Sequence, residues 1–152
     1  MLRIALVLAF ISQTLAPPPK PGHATVLASP AEVNGKPGTK VALFVDVTPK
    51  PGMHVYAPGN ADYIPITIKL AAPPAIKAGK VAYPKSEVMT LADEKVSVFQ
   101  KPFRLTQDVT VEKSAEAGST IVVPATVNFQ ACDDKVCYPP ESASVSWTVM
   151  VK

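Results

Sequence analysis

The stretch Ile121-Val122-Val123-Pro124-Ala125-Thr126-Val127-Asn128-Phe129-Gln130-Ala131-Cys132 decides the fold. Ile121, Val123, Ala125, Val127 and Phe129 fall at every second position. That period of two is the signature of a half-buried β-strand, because successive side chains of a strand point to opposite faces. The row continues to Ala131, which puts Asn128, Gln130 and Cys132 on the other face. Cys132 is therefore expected at a strand end, near a turn, with its sulfur away from the deepest core.

The same period recurs along the chain. Val41, Leu43, Val45 and Val47 alternate with smaller or polar residues, and Ile64, Ile66, Ile68 and Leu70 alternate with Pro65, Thr67 and Lys69. Phe103, Leu105, Val109 and Val111 form a further row, and Val145, Trp147, Val149 and Val151 form the last, with Trp147 read as core. Between them stand the turn signals Asn34-Gly35, Lys50-Pro51-Gly52, Pro58-Gly59-Asn60, Ala72-Pro73-Pro74 and Ala117-Gly118-Ser119. Seventeen prolines among 152 residues disfavour long helices. The pattern predicts an all-β protein: an immunoglobulin-like antiparallel β-sandwich with the cysteine pair on a hairpin near one end. The Cys…Trp…Cys order of antibody domains is absent, so the cysteines do not pin two sheets together.

Residues 1–16 read as a secretory signal peptide: Arg3 is basic, Ile4 to Ile11 are apolar but too short to span a bilayer, and Thr14-Leu15-Ala16 is a cleavage site. Residues 17–23 read as a Pro-rich leader, with His23 solvated in it. Residues 24–152 read as one domain. The expected location is periplasmic or otherwise exported, with no membrane insertion after cleavage. The net charge of +3 is spread without a basic block, so neither nucleic acid nor an acidic membrane surface is an expected partner. Phosphate-loop and Ser/His/Asp signatures are absent, which leaves nucleotide and hydrolase functions without support.

The chemistry then rests on Cys132 and Cys137, the two cysteines of the chain. Four residues lie between them. In the chain-entropy model a six-residue ring removes only about 2 kcal/mol of unfolded-state freedom, against ~3 kcal/mol for a 15-residue loop. A staple would do more between distant strands, yet small hairpin disulfides are common in exported proteins. Spacing alone leaves staple and redox site level. Asp133 and Asp134 flank Cys132 with only Lys135 opposed, so the free thiol is expected to be a poor nucleophile whose reactivity depends on a partner. A different class of function also fits: Cys132, Cys137, His23, His54, Met53 and Met89 are soft or borderline ligands suited to Cu(I) in an exported β-sandwich. Their spacing shows no paired ligand motif, so the expected metal set is none. A non-redox interaction domain with a structural hairpin disulfide is the third reading.

The run Phe129-Gln130-Ala131-Cys132…Cys137-Tyr138-Pro139-Pro140 resembles the active-site hairpin of the N-terminal periplasmic domain of the thiol:disulfide interchange protein DsbD. Pro51-Gly52-Met53-His54-Val55-Tyr56 resembles the aromatic-bearing strand ahead of that site. Tyr83-Pro84-Lys85, followed by Val98-Phe99, resembles the segment that carries the cap loop. The resemblance spans roughly residues 24–151, and the Cys-Tyr-Pro-Pro hairpin is its specific part. It implies a stand-alone protein-disulfide reductase-type relay, with a redox-active disulfide and no other cofactor. The donor would be a thioredoxin-like domain or a membrane electron-transfer protein, and the acceptors periplasmic thiol–disulfide proteins. Cys137 would form the mixed disulfide and Cys132 would resolve it. His54, Tyr56, Met89, Leu91, Asp93, Glu94, Phe99, Tyr138 and Pro139 would line the site. Two departures stand out. The cysteines are one residue closer than in the best-known members, and the segment Val88 to Glu94 lacks the cap aromatic, leaving Met89 or Leu91 to shield the sulfurs.

Overall fold

The computed structural model describes residues 22–60, 62–91 and 93–152. The expected signal peptide and all but the end of the leader lie outside the described residues. Twelve strands form among those described: β1 (Ala24–Ala28), β2 (Glu32–Gly35), β3 (Lys40–Pro49), β4 (His54–Tyr56), β5 (Thr67–Leu70), β6 (Ile76–Ala82), β7 (Glu87–Leu91), β8 (Glu94–Phe99), β9 (Phe103–Val111), β10 (Thr120–Phe129), β11 (Ala131–Cys132) and β12 (Glu141–Val151). They make three four-stranded sheets, β1-β3-β9-β6, β2-β12-β10-β5 and β11-β4-β8-β7. All pairings are antiparallel except β2 with β12, which is parallel.

The first two sheets share one core. Leu43, Val45, Val47, Leu105, Val109 and Val111 face it from one side, and Val123, Val127, Phe129, Trp147 and Val149 from the other. Trp147 is fully buried and its indole Nε1 donates to the Phe44 carbonyl at 3.1 Å, so its one polar atom is satisfied across the two sheets. The long alternating rows are therefore the sandwich itself.

Two expectations need correction. Asn34-Gly35 is not a turn: both residues are the end of β2, and the turn follows at Lys36 to Thr39, closed by the Thr39 amide on the Lys36 carbonyl with Gly38 at φ 77°. Gly35 serves close approach, since a Cβ there would lie 2.8 Å from Val111 Cγ2. The row from Ile64 begins only at Thr67, and Ile64 is exposed. Pro65 has no amide to give to a ladder, so the strand starts after it. Cys132 lies outside the main core, as expected, yet is buried in a second cluster that the third sheet explains.

That sheet sits at one end of the sandwich. β10 ends at Phe129 opposite the start of β12 at Glu141, and β3 ends at Pro49 opposite Ala24 of β1. At this end the chain leaves β10, passes Gln130 and re-pairs in β11 against β4. The turn Lys50-Pro51-Gly52-Met53 delivers β4: the Met53 amide donates to the Lys50 carbonyl, with Gly52 at φ 78°, the left-handed position that a type II turn requires.

Candidate functional site

The β4 and β11 strands of the third sheet are buried on both faces, and register shows how. Ala131, Val55 and Phe99 lie in one row, and all three belong to the main core. The alternate row holds Cys132 opposite His54, Tyr56 opposite Val98, and Val96 opposite Met89. Tyr56, Val96, Val98 and Cys132 form a second buried cluster, with Tyr63, Met89 and Leu91 packed against it. The alternation read from the sequence is right, with Ala131 inward and Cys132 on the other face. That other face is covered by protein instead of water, so Cys132 is only 1 % exposed.

Cys132 and Cys137 are joined by a disulfide, with Cα atoms 4.0 Å apart. They face each other across an isolated antiparallel bridge. Hydrogen bonds flank the pair, from the Asp133 amide to the Val136 carbonyl and from the Tyr138 amide to the Ala131 carbonyl. The cysteines thus occupy a non-hydrogen-bonded pair, the antiparallel position at which side chains come closest. The hairpin tip is fixed by Asp133. Its Oδ1 accepts from the amides of Lys135 and Val136, both at 2.8 Å, and its Oδ2 accepts from the Tyr138 hydroxyl at 2.9 Å. The Val136 and Lys135 amide bonds, then the Tyr138 hydroxyl, hold the Asp133 carboxyl below its ordinary range. Gln130 Nε2 donates to the Tyr138 carbonyl at 3.0 Å and ties the hairpin base to the strand junction.

The two sulfurs have unlike surroundings. Cys137 is an exposed residue on the hairpin, and its Sγ lies 3.5 Å from the Tyr56 hydroxyl. Tyr56 is buried, stacks on Tyr63 at 4.3 Å between ring centroids, and meets the His54 ring edge-on at 5.4 Å. Burial, with the neighbouring Tyr63 second, pushes the Tyr56 phenol up. His54 is 1 % exposed, and its Nε2 is the one buried side-chain nitrogen or oxygen without a partner among the described residues. Burial pushes its imidazole down, while the charges of Asp134 and Asp133 partly oppose that shift.

Of the residues expected to line the cysteines, His54 and Tyr56 lie on the face of Cys132, and Met89 and Leu91 pack on the cluster that contains it. Tyr138 is fastened to the hairpin through Asp133, and Pro139 is exposed beside it. Asp93 and Glu94 form the exposed tip of the β7–β8 hairpin, with Asp93 at φ 70°. Phe99 faces the opposite way and stacks on Phe103 in the main core, at 4.1 Å. Parity explains it: Phe99 is one residue past Val98, and Val98 points at the cysteine side.

Sequence reasoning missed two contributors. Asn60 bridges the loop after β4 to β8, donating to the carbonyls of Ala57 and Ser97 and accepting from the Ser97 amide. Its place in a Pro-Gly-Asn turn gave no hint of that. His23 is not simply solvated: its ring stacks on Tyr138 at 3.9 Å, its Nδ1 meets Glu141 Oε1, and its amide donates to Glu141 Oε2. Among the described residues no group of three or more His, Cys, Asp and Glu side chains is arranged to hold a metal ion.

Known proteins fit this geometry. The family model described as "Thiol:disulfide interchange protein DsbD, N-terminal" matches residues 24–148. The fold is similar to that of the N-terminal periplasmic domain of ScsB from Proteus mirabilis, with a TM-score of 0.59 at 13% identity over 85% of this chain. It is also similar to the reduced DsbD N-terminal domain of Neisseria meningitidis, with a TM-score of 0.50 at 16% identity over 82% of each chain. This chain spans 47% of the length of the ScsB domain. No curated protein matches it by sequence. At such identities the structures speak for the fold alone, and the family model supplies the assignment: the chain belongs to the family of DsbD N-terminal domains.

Proposed function

We propose that this domain is an exported electron relay that works by thiol–disulfide exchange between a thioredoxin-like donor and client disulfides. The observation that carries the reading is the unequal exposure of the two cysteines, with Cys137 exposed on its hairpin and Cys132 buried in a cluster with Tyr56, Val96 and Val98. A donor thiolate reaches Sγ of Cys137 first. The Cys132–Cys137 bond breaks, its electron pair leaves on Cys132, and a mixed disulfide forms at Cys137. The donor's second thiol releases the reduced domain. Toward a client the order reverses: Cys137 attacks and Cys132 resolves. Met89 and Leu91 take the place of an aromatic cap, and Val88, 68 % exposed on the same strand, presents an apolar surface to whichever partner docks. The expected location follows from the periplasmic character of the ScsB relative's domain.

Changing Cys132 to Ser removes the resolving thiol, so incubation with an oxidised thioredoxin-like protein is expected to accumulate a mixed disulfide at Cys137. Changing Cys137 to Ser is expected to trap nothing, because Cys132 is out of reach. Trapping by Cys132 instead reverses the roles. A disulfide potential below about −300 mV, with resistance to thioredoxin, makes the pair a staple and overturns the relay.

A further inference from the structure

We propose that His54 is the proton carrier for Cys132, taking the proton of the buried thiol when Cys132 resolves a mixed disulfide and returning it in the reverse step. The inference rests on the relay reading for its biological setting, and on geometry for its substance. In β11·β4, Cys132 and His54 are directly opposed partners. Such partners project from the same face, with Cβ atoms about 4.5–5.5 Å apart. Both residues are 1 % exposed, so water has poor access to the Cys132 proton. A thiolate, not a thiol, attacks a disulfide, so that proton must go somewhere. His54 Nε2 is buried and has no hydrogen-bond partner in the oxidised protein. A buried polar atom left unsatisfied destabilises a fold, and its persistence beside a reacting sulfur calls for a use.

The surroundings suit the role. On its own strand His54 meets Tyr56, whose hydroxyl faces Cys137 Sγ. The hairpin adds Asp133, Asp134 and Lys135, and the two carboxylates stabilise the imidazolium while it exists. β7 and β8 present Met89, Leu91, Val96 and Val98, all apolar. Glu87 shares that face but is engaged by Lys101 and Gln100. Burial keeps the imidazole neutral at pH 7, ready to accept.

The steps balance. Cys137 thiolate attacks one sulfur of a client disulfide, and the other client sulfur leaves as a thiolate. Cys132 then gives its proton to Nε2 and attacks Sγ of Cys137. The bond between Cys137 and the client breaks, and its electron pair leaves on the client sulfur. The Cys132–Cys137 pair is oxidised by two electrons, the client disulfide is reduced, and the imidazolium proton passes to the departing thiolate.

The test uses reduced protein and the chromogenic disulfide dithionitrobenzoate, which releases one coloured thiol when Cys137 attacks and a second when Cys132 resolves. In His54→Phe the second phase is expected to slow relative to the first by about 10²-fold at neutral pH, the usual scale of positioned proton transfer, and to lose the imidazole inflection from its pH profile. His54→Gln keeps a polar side chain and is expected to behave the same way. Wild-type ratios and profiles in both variants overturn the proposal. Should both variants misfold, wild-type protein decides: the His54 ring, followed by NMR, is expected to titrate at different pH in the oxidised and reduced states, and one shared midpoint overturns the proposal. Reduced wild-type protein that runs both phases but exchanges with no thioredoxin-like protein would sink the relay and leave the His54 assignment standing.

Discussion

The core shared by the two large sheets and the small sheet that carries the cysteines use the same strand alternation to opposite chemical ends. In the large core the inward rows are aliphatic and aromatic, and Trp147 satisfies its indole nitrogen on Phe44. In the small sheet one row joins that core through Val55, Phe99 and Ala131, while the other sets Cys132, His54 and Tyr56 on one buried face with an orphaned imidazole nitrogen. One region is optimised for burial. The other holds reactive groups out of water at some expense in stability, a pattern expected where a site needs properties that packing alone does not favour.

The largest effect that tests this contrast belongs to the large core. Trp147→Ala removes the largest fully buried side chain and its hydrogen bond to the Phe44 carbonyl, which keeps the Ser29 amide as a donor, and is expected to destabilise the domain by about 3–5 kcal/mol in denaturant titrations. While the variant remains folded, the exchange rate at Cys137 is expected to stay at the wild-type value, because Trp147 lies in the other cluster. A large change in Cys137 reactivity at native conditions would mean that the two regions are mechanically one.

The long rows were legible in the sequence because each has one wet face and one dry face, so alternation reports them directly. The strands β4, β7, β8 and β11 were harder to read. They are short, and β4 is buried on both faces, so His-Val-Tyr shows no alternation at all. For the same reason the sequence places Cys132 on the face away from the main core, where the structure has it, but does not tell that this face carries a second buried cluster. The Cys-Tyr-Pro-Pro run made the redox hairpin recognisable. The imidazole beside it was expected to line the site together with Tyr56, but its direct opposition to Cys132 was not legible. Its importance depends on a cross-strand register between residues 54 and 132, and nothing local to either encodes that.

His54→Phe probes the small sheet with a smaller change. Phe fills a similar volume without a polar atom, so it is expected to stabilise the oxidised domain by about 1–3 kcal/mol near neutral pH, where an unsatisfied group is removed. The pH dependence has a definite sign. Burial lowers the folded-state pKa of His54 below its unfolded value of about 6.5, so the unfolded chain binds the extra proton first. Wild-type stability is therefore complete above about pH 6.5 and falls as the pH drops through the window below it. The variant is expected to lack this slope, and the gap between the two proteins to widen on acidification. Parallel stability curves for the two from pH 7 to about pH 5 would show that His54 is solvated after all.

His23→Ala tests where the small sheet's influence ends. His23 precedes β1, yet it stacks on Tyr138 and pairs with Glu141, at the end of the sandwich where the hairpin leaves. Its side chain is 27 % exposed, so solvent screens the pair, and the loss is expected to be about 1 kcal/mol or less. The local consequence is more telling than the global one. Tyr138 is held on one side by the His23 ring and on the other by Asp133, which also caps the amides of Lys135 and Val136. Removing the ring frees one side of Tyr138, so the amides of Lys135, Val136 and Tyr138 are expected to exchange with solvent faster, while those of β10 and β12 are unchanged. Hydrogen exchange followed residue by residue reads both. Equal acceleration in β12 would place His23 in the large core's account. No acceleration anywhere would mean that Asp133 alone fixes the hairpin, and that the segment before β1 only rests on it.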